Sequence, residues 1–104
     1  MDIQLNKQNH TLKAVITGRL SGKDASAWYT MIIDQLGDDV TEIVLNLAGV
    51  TYLTSTSLRN IIMLQKEMNI RDGELILEDP QEMIMETLQL SGMTSFLDIR
   101  KTGG

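Results

Sequence analysis

The sequence predicts an α/β domain built on a mixed, mostly parallel β-sheet with helices packed against it. Two observations carry that expectation. Short aliphatic runs such as Ile43-Val44-Leu45 and Leu75-Ile76-Leu77 alternate with longer stretches whose apolar residues recur at helical spacing. Each helical stretch also falls between two strands, so the later strands are joined by crossovers and should be parallel, by the right-handed crossover rule. The order is β-β-α-β-α-β-α-β. A chain of 104 residues suits one compact domain, 1–104, with a core over 3–100 and a short tail over 101–104.

Each element has its own signal. Ile3 and Leu5 alternate with polar residues, and Asn6-Lys7-Gln8-Asn9-His10 reads as a turn longer than the tightest hairpin types. Leu12, Ala14 and Ile16 share one face of a second strand that Gly18 ends. Ser21 and Asp24 have capping-box spacing, and Ala25, Trp28, Tyr29, Ile32 and Leu36 then form a helical stripe closed by Gly37. The run Ile43 to Leu47 predicts a strand covered on both faces, followed by a connection over 48–54. A second helix carries Leu58, Ile61, Ile62, Leu64 and Met68 inward, opposite Arg59, Asn60, Lys66 and Glu67. After the strand Leu75-Ile76-Leu77, the segment Asp79-Pro80-Gln81-Glu82 has the residues of a helix start, with Asp79 as cap. That third helix turns Met83, Ile84, Thr87 and Leu88 inward and stops at Gly92, and Phe96, Leu97 and Ile99 make a last strand.

Composition removes whole classes of function. Lys+Arg is 9 and Asp+Glu is 14, a net charge of 9 − 14 = −5 that argues against a nucleic-acid-binding surface. Apolar residues at 42% and charged residues at 22% describe a folded chain rather than a disordered one. Aromatics are 4%, so the core is expected to be aliphatic, with 7 Met filling irregular gaps. The absence of Cys excludes disulfides, thiolate catalysis and cysteine-ligated metals, and the single His10 excludes a multi-histidine metal site within the chain. Neither a cofactor nor a metal is expected. No apolar run approaches the ~20 residues that span a bilayer. The opening Met1-Asp2-Ile3-Gln4 lacks a basic and an apolar signal region, so a cytoplasmic protein is the expectation.

Chemistry concentrates in one segment. Thr54-Ser55-Thr56-Ser57 places four hydroxyls between a buried strand and the helix it feeds. A helix start has unsatisfied N–H groups and a partial positive charge, so it accepts a hydroxyl cap and favours an attached phosphate. Phosphorylation there would add about −1.5 to −2 charges to the surface. Ser and Thr are also ordinary helix caps, and a solvated turn plus capping is the simpler account of four hydroxyls. Acyl transfer is a weaker idea, because a Ser nucleophile needs a base and His10 sits in the first hairpin turn. The carboxylates show no calcium-loop spacing, and Gly18 and Gly22 lack the Lys-Ser/Thr ending of a phosphate loop. Gly49 reads as a backbone requirement of a turn, and Trp28 as core or groove packing.

The stretch from Ile43 to Leu58 resembles the STAS domain, the family of bacterial anti-sigma factor antagonists. That family's pattern is an aliphatic strand, Asp-Leu-Ser-x-Val, an aromatic, then Asp-Ser-Ser/Thr-Gly-Leu opening a helix. Gly18-Arg19-Leu20 matches its Gly-x-Leu after the second strand, and Leu90-Ser91-Gly92-Met93 its last helix-to-strand turn. The resemblance covers residues 3–100. It implies a non-catalytic module that binds a serine-kinase anti-sigma factor of the histidine-kinase-like ATPase type, thereby releasing the sigma factor. Phosphorylation at the loop–helix junction ends that binding. Thr56 falls on the family's phosphoacceptor, with Ser55 and Ser57 as neighbours that could be mistaken for it. Thr54, Ser55, Thr56, Ser57 and Arg59 form the implied partner-binding loop. Thr54 stands where the family carries Asp, Ser57 where it carries Gly, and Asn46 where it carries Asp.

Those departures motivate an alternative: a constitutive STAS scaffold, in a stress-signalling complex or as an accessory subunit of lipid transport, that phosphorylation does not regulate. A nucleotide-binding module is a third class, but no segment resembles a loop that would hold a nucleotide. Neither nucleic acid nor direct membrane insertion is expected among the partners.

Overall fold

The computed structural model describes residues 1–102. The elements are β1 (Asp2–Gln8), β2 (Thr11–Leu20), α1 (Asp24–Gln35), β3 (Glu42–Leu53), α2 (Ser55–Ile70), β4 (Glu74–Glu78), α3 (Glu82–Leu90), a short 3₁₀ turn (Thr94–Phe96) and β5 (Asp98–Arg100). Their order is the one the sequence predicts. The strands stand in chain order across one sheet, β1-β2-β3-β4-β5. β1 is antiparallel to β2, and the other neighbouring pairs are parallel.

Because that order never reverses, crossovers of one hand place all three helices on the same face of the sheet. The core reflects this. Leu12, Ala14 and Ile16 of β2, with Ile43, Leu45 and Leu47 of β3 and Leu75 and Leu77 of β4, pack with Trp28, Ile32, Ile61, Leu64, Met68, Ile84 and Leu88. Period-two alternation turns Val44 and Ile76 to the opposite face, where they pair in register. Among the described residues no helix covers them there, contrary to the expectation of a strand enclosed on both sides. They are nonetheless only 8% and 4% exposed. Lys13 pairs with Val44 in the sheet, and its ammonium reaches the Glu78 carboxylate at 3.6 Å, crossing over β3. Long charged side chains lay their alkyl stems over apolar neighbours in this way.

Several boundaries differ from the sequence reading. The first hairpin turns tightly on Asn9-His10, with Gln8 opposite Thr11 and Asn9 at φ +56. Asparagine tolerates that left-handed conformation, so the strand runs on through residues expected to be turn. Gly18 does not end β2. It sits at φ +98 beside a register shift, and the strand continues to Leu20. The connection expected over 48–54 is mostly strand, because a second irregularity opposite Ala48–Gly49 keeps β3 paired to Leu53. Asn46 Oδ1 accepts from Ala48 N–H at 3.0 Å, and Gln81 Nε2 donates to the Ala48 carbonyl at 2.7 Å. Gly49 is required by close approach rather than by a turn, since a Cβ there would lie 2.5 Å from Thr17 Cγ2.

The helix caps also differ from the expected ones. Ser21 supplies only its carbonyl, to Asp24 N–H, and the cap position of α1 is Lys23, without a side-chain bond. Asp79 does not cap α3. Its carboxylate accepts from the backbone N–H of Thr102 at 2.7 Å and from the Thr102 hydroxyl, while Gln81 occupies the cap position. In α3, Ile84 and Leu88 are buried as expected, but Met83 is exposed. Phe96 is exposed too, in the 3₁₀ turn rather than the last strand. Gly92, at φ +76, stops α3 as expected. Of the anticipated tail, Gly103 and Gly104 lie outside the described residues.

Candidate functional site

β3 passes into α2 through a single residue, Thr54. Its backbone is extended, at φ −86 and ψ 167, and its Oγ1 accepts from Ser57 N–H at 3.3 Å. This is an N-cap made by an uncharged hydroxyl, at the position where the resemblance places an aspartate. The same hydroxyl donates to the Leu20 carbonyl at 3.1 Å, and Thr54 N–H reaches that oxygen at 3.3 Å. The last residue of β2 is thereby tied to the first turn of α2.

Ser57 completes the tie. It is fully buried, donates from Oγ to Leu20 O at 3.0 Å, and accepts from Trp28 Nε1 at 3.2 Å. Trp28 is fully buried as well. The Ser57 hydroxyl is engaged as both donor and acceptor and is closed to solvent. It is a structural group joining α1, β2 and α2. One turn further on, Asn60 is buried rather than turned to the polar side, and its Nδ2 donates to Ala25 O at 2.8 Å. Burial of a polar amide demands such a partner, and α1 supplies it.

Ser55 and Thr56, the first two residues of α2, remain exposed, and neither hydroxyl has a hydrogen-bond partner among the described residues. The first turn of this 16-residue helix carries no acidic residue. No carboxylate of that turn offsets its positive end, and an anion placed on either hydroxyl meets favourable dipoles. Arg59 is exposed and lies three residues after Thr56 and four after Ser55, the spacing that puts side chains on one helical face.

Two neighbours of this junction carry no role in the sequence reading. Arg19 stacks on the Tyr52 ring with its guanidinium carbon 4.5 Å from the centroid, and the two residues pair across the ends of β2 and β3. Tyr52 stays 41% exposed. The stack holds a cation on an exposed aromatic ring beside the helix start. The available signal was positional: Arg19 precedes Leu20, Tyr52 precedes Leu53, and both leucines lead into the site. His10 lies at the other end of β2, ~30 Å away at strand rise, with Nδ1 2.9 Å from the carbonyl oxygen of Asp39. The junction accordingly has no imidazole base for acyl transfer. No group of three or more His, Cys, Asp or Glu side chains suited to a metal occurs among the described residues.

Fold and site together define a small α/β module that displays an alcohol at a helix N-terminus beside a stacked arginine. A family model of the STAS domain matches residues 2–103, and the chain belongs to that family. BtrV of Bordetella bronchiseptica, named as a candidate anti-sigma factor antagonist, is 23% identical over 99 residues, spanning 95% of this chain and 85% of the relative. Among solved structures, the unphosphorylated anti-sigma factor antagonist SpoIIAA is similar with a TM-score of 0.82 at 20% identity, covering 97% of this chain and 88% of its own. A candidate anti-sigma factor antagonist from Thermotoga maritima reaches 0.88 at 20% identity, covering 97% and 87%. The phosphorylated form of SpoIIAA, a Bacillus cell fate determinant, gives 0.73 at 20% identity, covering 97% and 91%. At these identities the likeness is one of fold.

Proposed function

We propose that this protein is an anti-sigma factor antagonist acting by partner switching, with Thr56 as the phosphoacceptor. The observation that carries the reading is the division of labour at the start of α2. Thr54 and Ser57 are consumed in holding the turn, while Thr56 is exposed on it. The unmodified surface, with Ser55, Thr56 and Arg59 beside Arg19 and Tyr52, docks an anti-sigma factor of the histidine-kinase-like ATPase type. Transfer of a phosphoryl group to Thr56 adds about −1.5 to −2 charges at that contact and ends it. The module itself is non-catalytic, needs no cofactor, binds no nucleic acid, and works in the cytoplasm. The names of similar proteins support the partner class.

The test is phosphate-affinity electrophoresis of the protein recovered from cells, with the site mapped by mass spectrometry. Thr56→Ala should abolish the shifted band, whereas Ser57→Ala should leave it in place. Thr56→Asp should weaken capture of the anti-sigma factor. A band that persists unchanged in Thr56→Ala would remove the assignment.

A second reading is a constitutive scaffold. Its support is Thr54 itself, which supplies the cap of the family's Asp but no carboxylate for a kinase to read. On that reading the partner binds equally to the wild type, Thr56→Ala and Thr56→Asp, and no phosphorylated form accumulates.

A further inference from the structure

The two outer strands of the sheet differ in what they leave open. β5 offers three residues, two of them charged, Asp98 and Arg100. β1 offers seven, pairs with β2 in one unbroken register, and carries neither a proline nor a bulge. Its turn fixes which backbone groups are free. A two-residue loop makes Gln8 and Thr11 a hydrogen-bonded pair, so Gln8, Asn6, Gln4 and Asp2 direct their N–H and C=O to β2. Ile3, Leu5 and Lys7 direct theirs outward, where they have no backbone partner among the described residues. Charged side chains ordinarily guard such an edge. Here Lys7 is drawn onto the Asp39 carboxylate at 2.8 Å. Apolar surface accompanies the edge. Ile3 and Leu5 are only half-buried, on the helix side of the sheet, opposite Ile16 and Ala14. Asp24 of α1 receives the Met1 ammonium at 3.3 Å, so that flank of the helix faces β1. Met31, seven residues further along the same flank, is 40% exposed.

We infer that β1 is a homodimer interface, pairing antiparallel with β1 of a second copy about a two-fold axis at Leu5. Centring on Leu5 is the two-fold register that pairs every residue of the strand, Asp2–Gln8. Leu5 exchanges its backbone bonds with Leu5 of the second copy, and Ile3 does so with Lys7. On the helix side, Leu5 packs on Leu5 and Ile3 on the alkyl stem of Lys7, with the two Met31 flanks turned toward the axis. On the other side, Gln4 meets Asn6 and Asp2 meets Gln8. No charge faces its own sign, whereas a parallel pairing in register would set Asp2 beside Asp2 and Lys7 beside Lys7. The strand is neutral within a chain of net charge −5, so two copies approach through it without local repulsion. β1 is thus its own complement, which selects a second copy over an unrelated strand. β2 separates this edge from the junction of β3 and α2. Each copy therefore keeps that junction open, and the dimer does not rest on the phosphoacceptor reading.

The chain has no Cys, so single cysteines report position in the full-length protein. In the dimer Gln4 and Asn6 form a non-hydrogen-bonded pair with Cα atoms about 4.5 Å apart, within disulfide reach. Identical positions, two residues out of register, lie about 8 Å apart and outside it. A mixture of Gln4→Cys and a tagged Asn6→Cys, oxidised with diamide, should cross-link at least about fivefold more than either variant alone. Sedimentation equilibrium from micromolar to millimolar protein should show a monomer–dimer equilibrium. Ile3→Lys sets a cation against Lys7 of the second copy, whereas Ile3→Glu offers it an anion at comparable cost to the fold. The lysine variant should dimerise at least about tenfold more weakly than the glutamate variant. General repulsion predicts the reverse, since the glutamate variant carries the larger net charge. If both variants fail to fold, the exposed cysteine pair still decides. A monomer at every concentration, equal cross-linking in mixed and single samples, or a mass that grows beyond the dimer overturns the inference. So does Gln4→Cys capturing a different protein in cells while the purified chain stays monomeric.

Discussion

Replacing Ser57 by alanine isolates the contact that joins α1 to the candidate switch. The wild-type hydroxyl donates to Leu20 O at 3.0 Å and accepts from Trp28 Nε1 at 3.2 Å, with both side chains fully buried. Leu20 O keeps its bonds from Thr54 N–H and Thr54 Oγ1 in the variant, so it is not orphaned. The indole N–H is orphaned, and a buried donor left unpaired costs about 1–3 kcal/mol. The expected loss is therefore about 2 kcal/mol, equivalent to a fall of roughly 8–16 °C in Tm for a domain of this size. Urea unfolding followed by far-ultraviolet circular dichroism measures it without relying on the tryptophan. In a Trp28→Phe background, which has no N–H to strand, the same substitution should cost less, giving a coupling of about 1–2 kcal/mol. A Ser57→Ala protein within about 0.5 kcal/mol of wild type, or a cycle with no coupling, would refute the assignment of the tie.

Gly49→Ala places a methyl 2.5 Å from Thr17 Cγ2. Chemical unfolding should show about 1–3 kcal/mol of destabilisation, and adding Thr17→Ala should recover part of it. Asn60→Ala removes the buried donor to Ala25 O and opens space between α1 and α2. A loss of about 1–3 kcal/mol is expected in the same assay. Acid should destabilise the fold in a defined window. The Lys7 hydrogen bond holds Asp39 below the ordinary aspartate value of 3.8, and Thr102 does the same for Asp79. A depressed folded-state pKa stabilises above the unfolded value and loses that contribution as pH falls through the folded one. Melting temperature should thus begin to fall about one pH unit above 3.8 and continue to fall below it, and Asp39→Asn should make the fall shallower.

The hydrophobic pattern made the element order legible because strand and helix periods depend only on neighbours along the chain. The stripe Ala25, Trp28 and Ile32 and the run Ile43 to Leu47 needed no tertiary knowledge. Strand ends were less legible. Whether β3 stops at Leu47 or passes through a bulge to Leu53 depends on pairing with β2, more than twenty residues upstream. The four-hydroxyl segment could likewise be located but not sorted. Local spacing treats Thr54, Ser55, Thr56 and Ser57 alike.

Sequence alone determined the class of the domain, its family resemblance and the place where an alcohol meets a helix start. Tertiary structure decided which of the four alcohols are engaged, Thr54 and Ser57, and which are free, Ser55 and Thr56. Leu20 and Trp28 stand 37 and 29 residues from Ser57, and only folding brings them within hydrogen-bond reach of its hydroxyl. It also turned Asn60 inward and left one face of the sheet to charged side chains instead of helices. Periodicity specifies which way a side chain points on its own element. What it then meets is set by packing between distant elements.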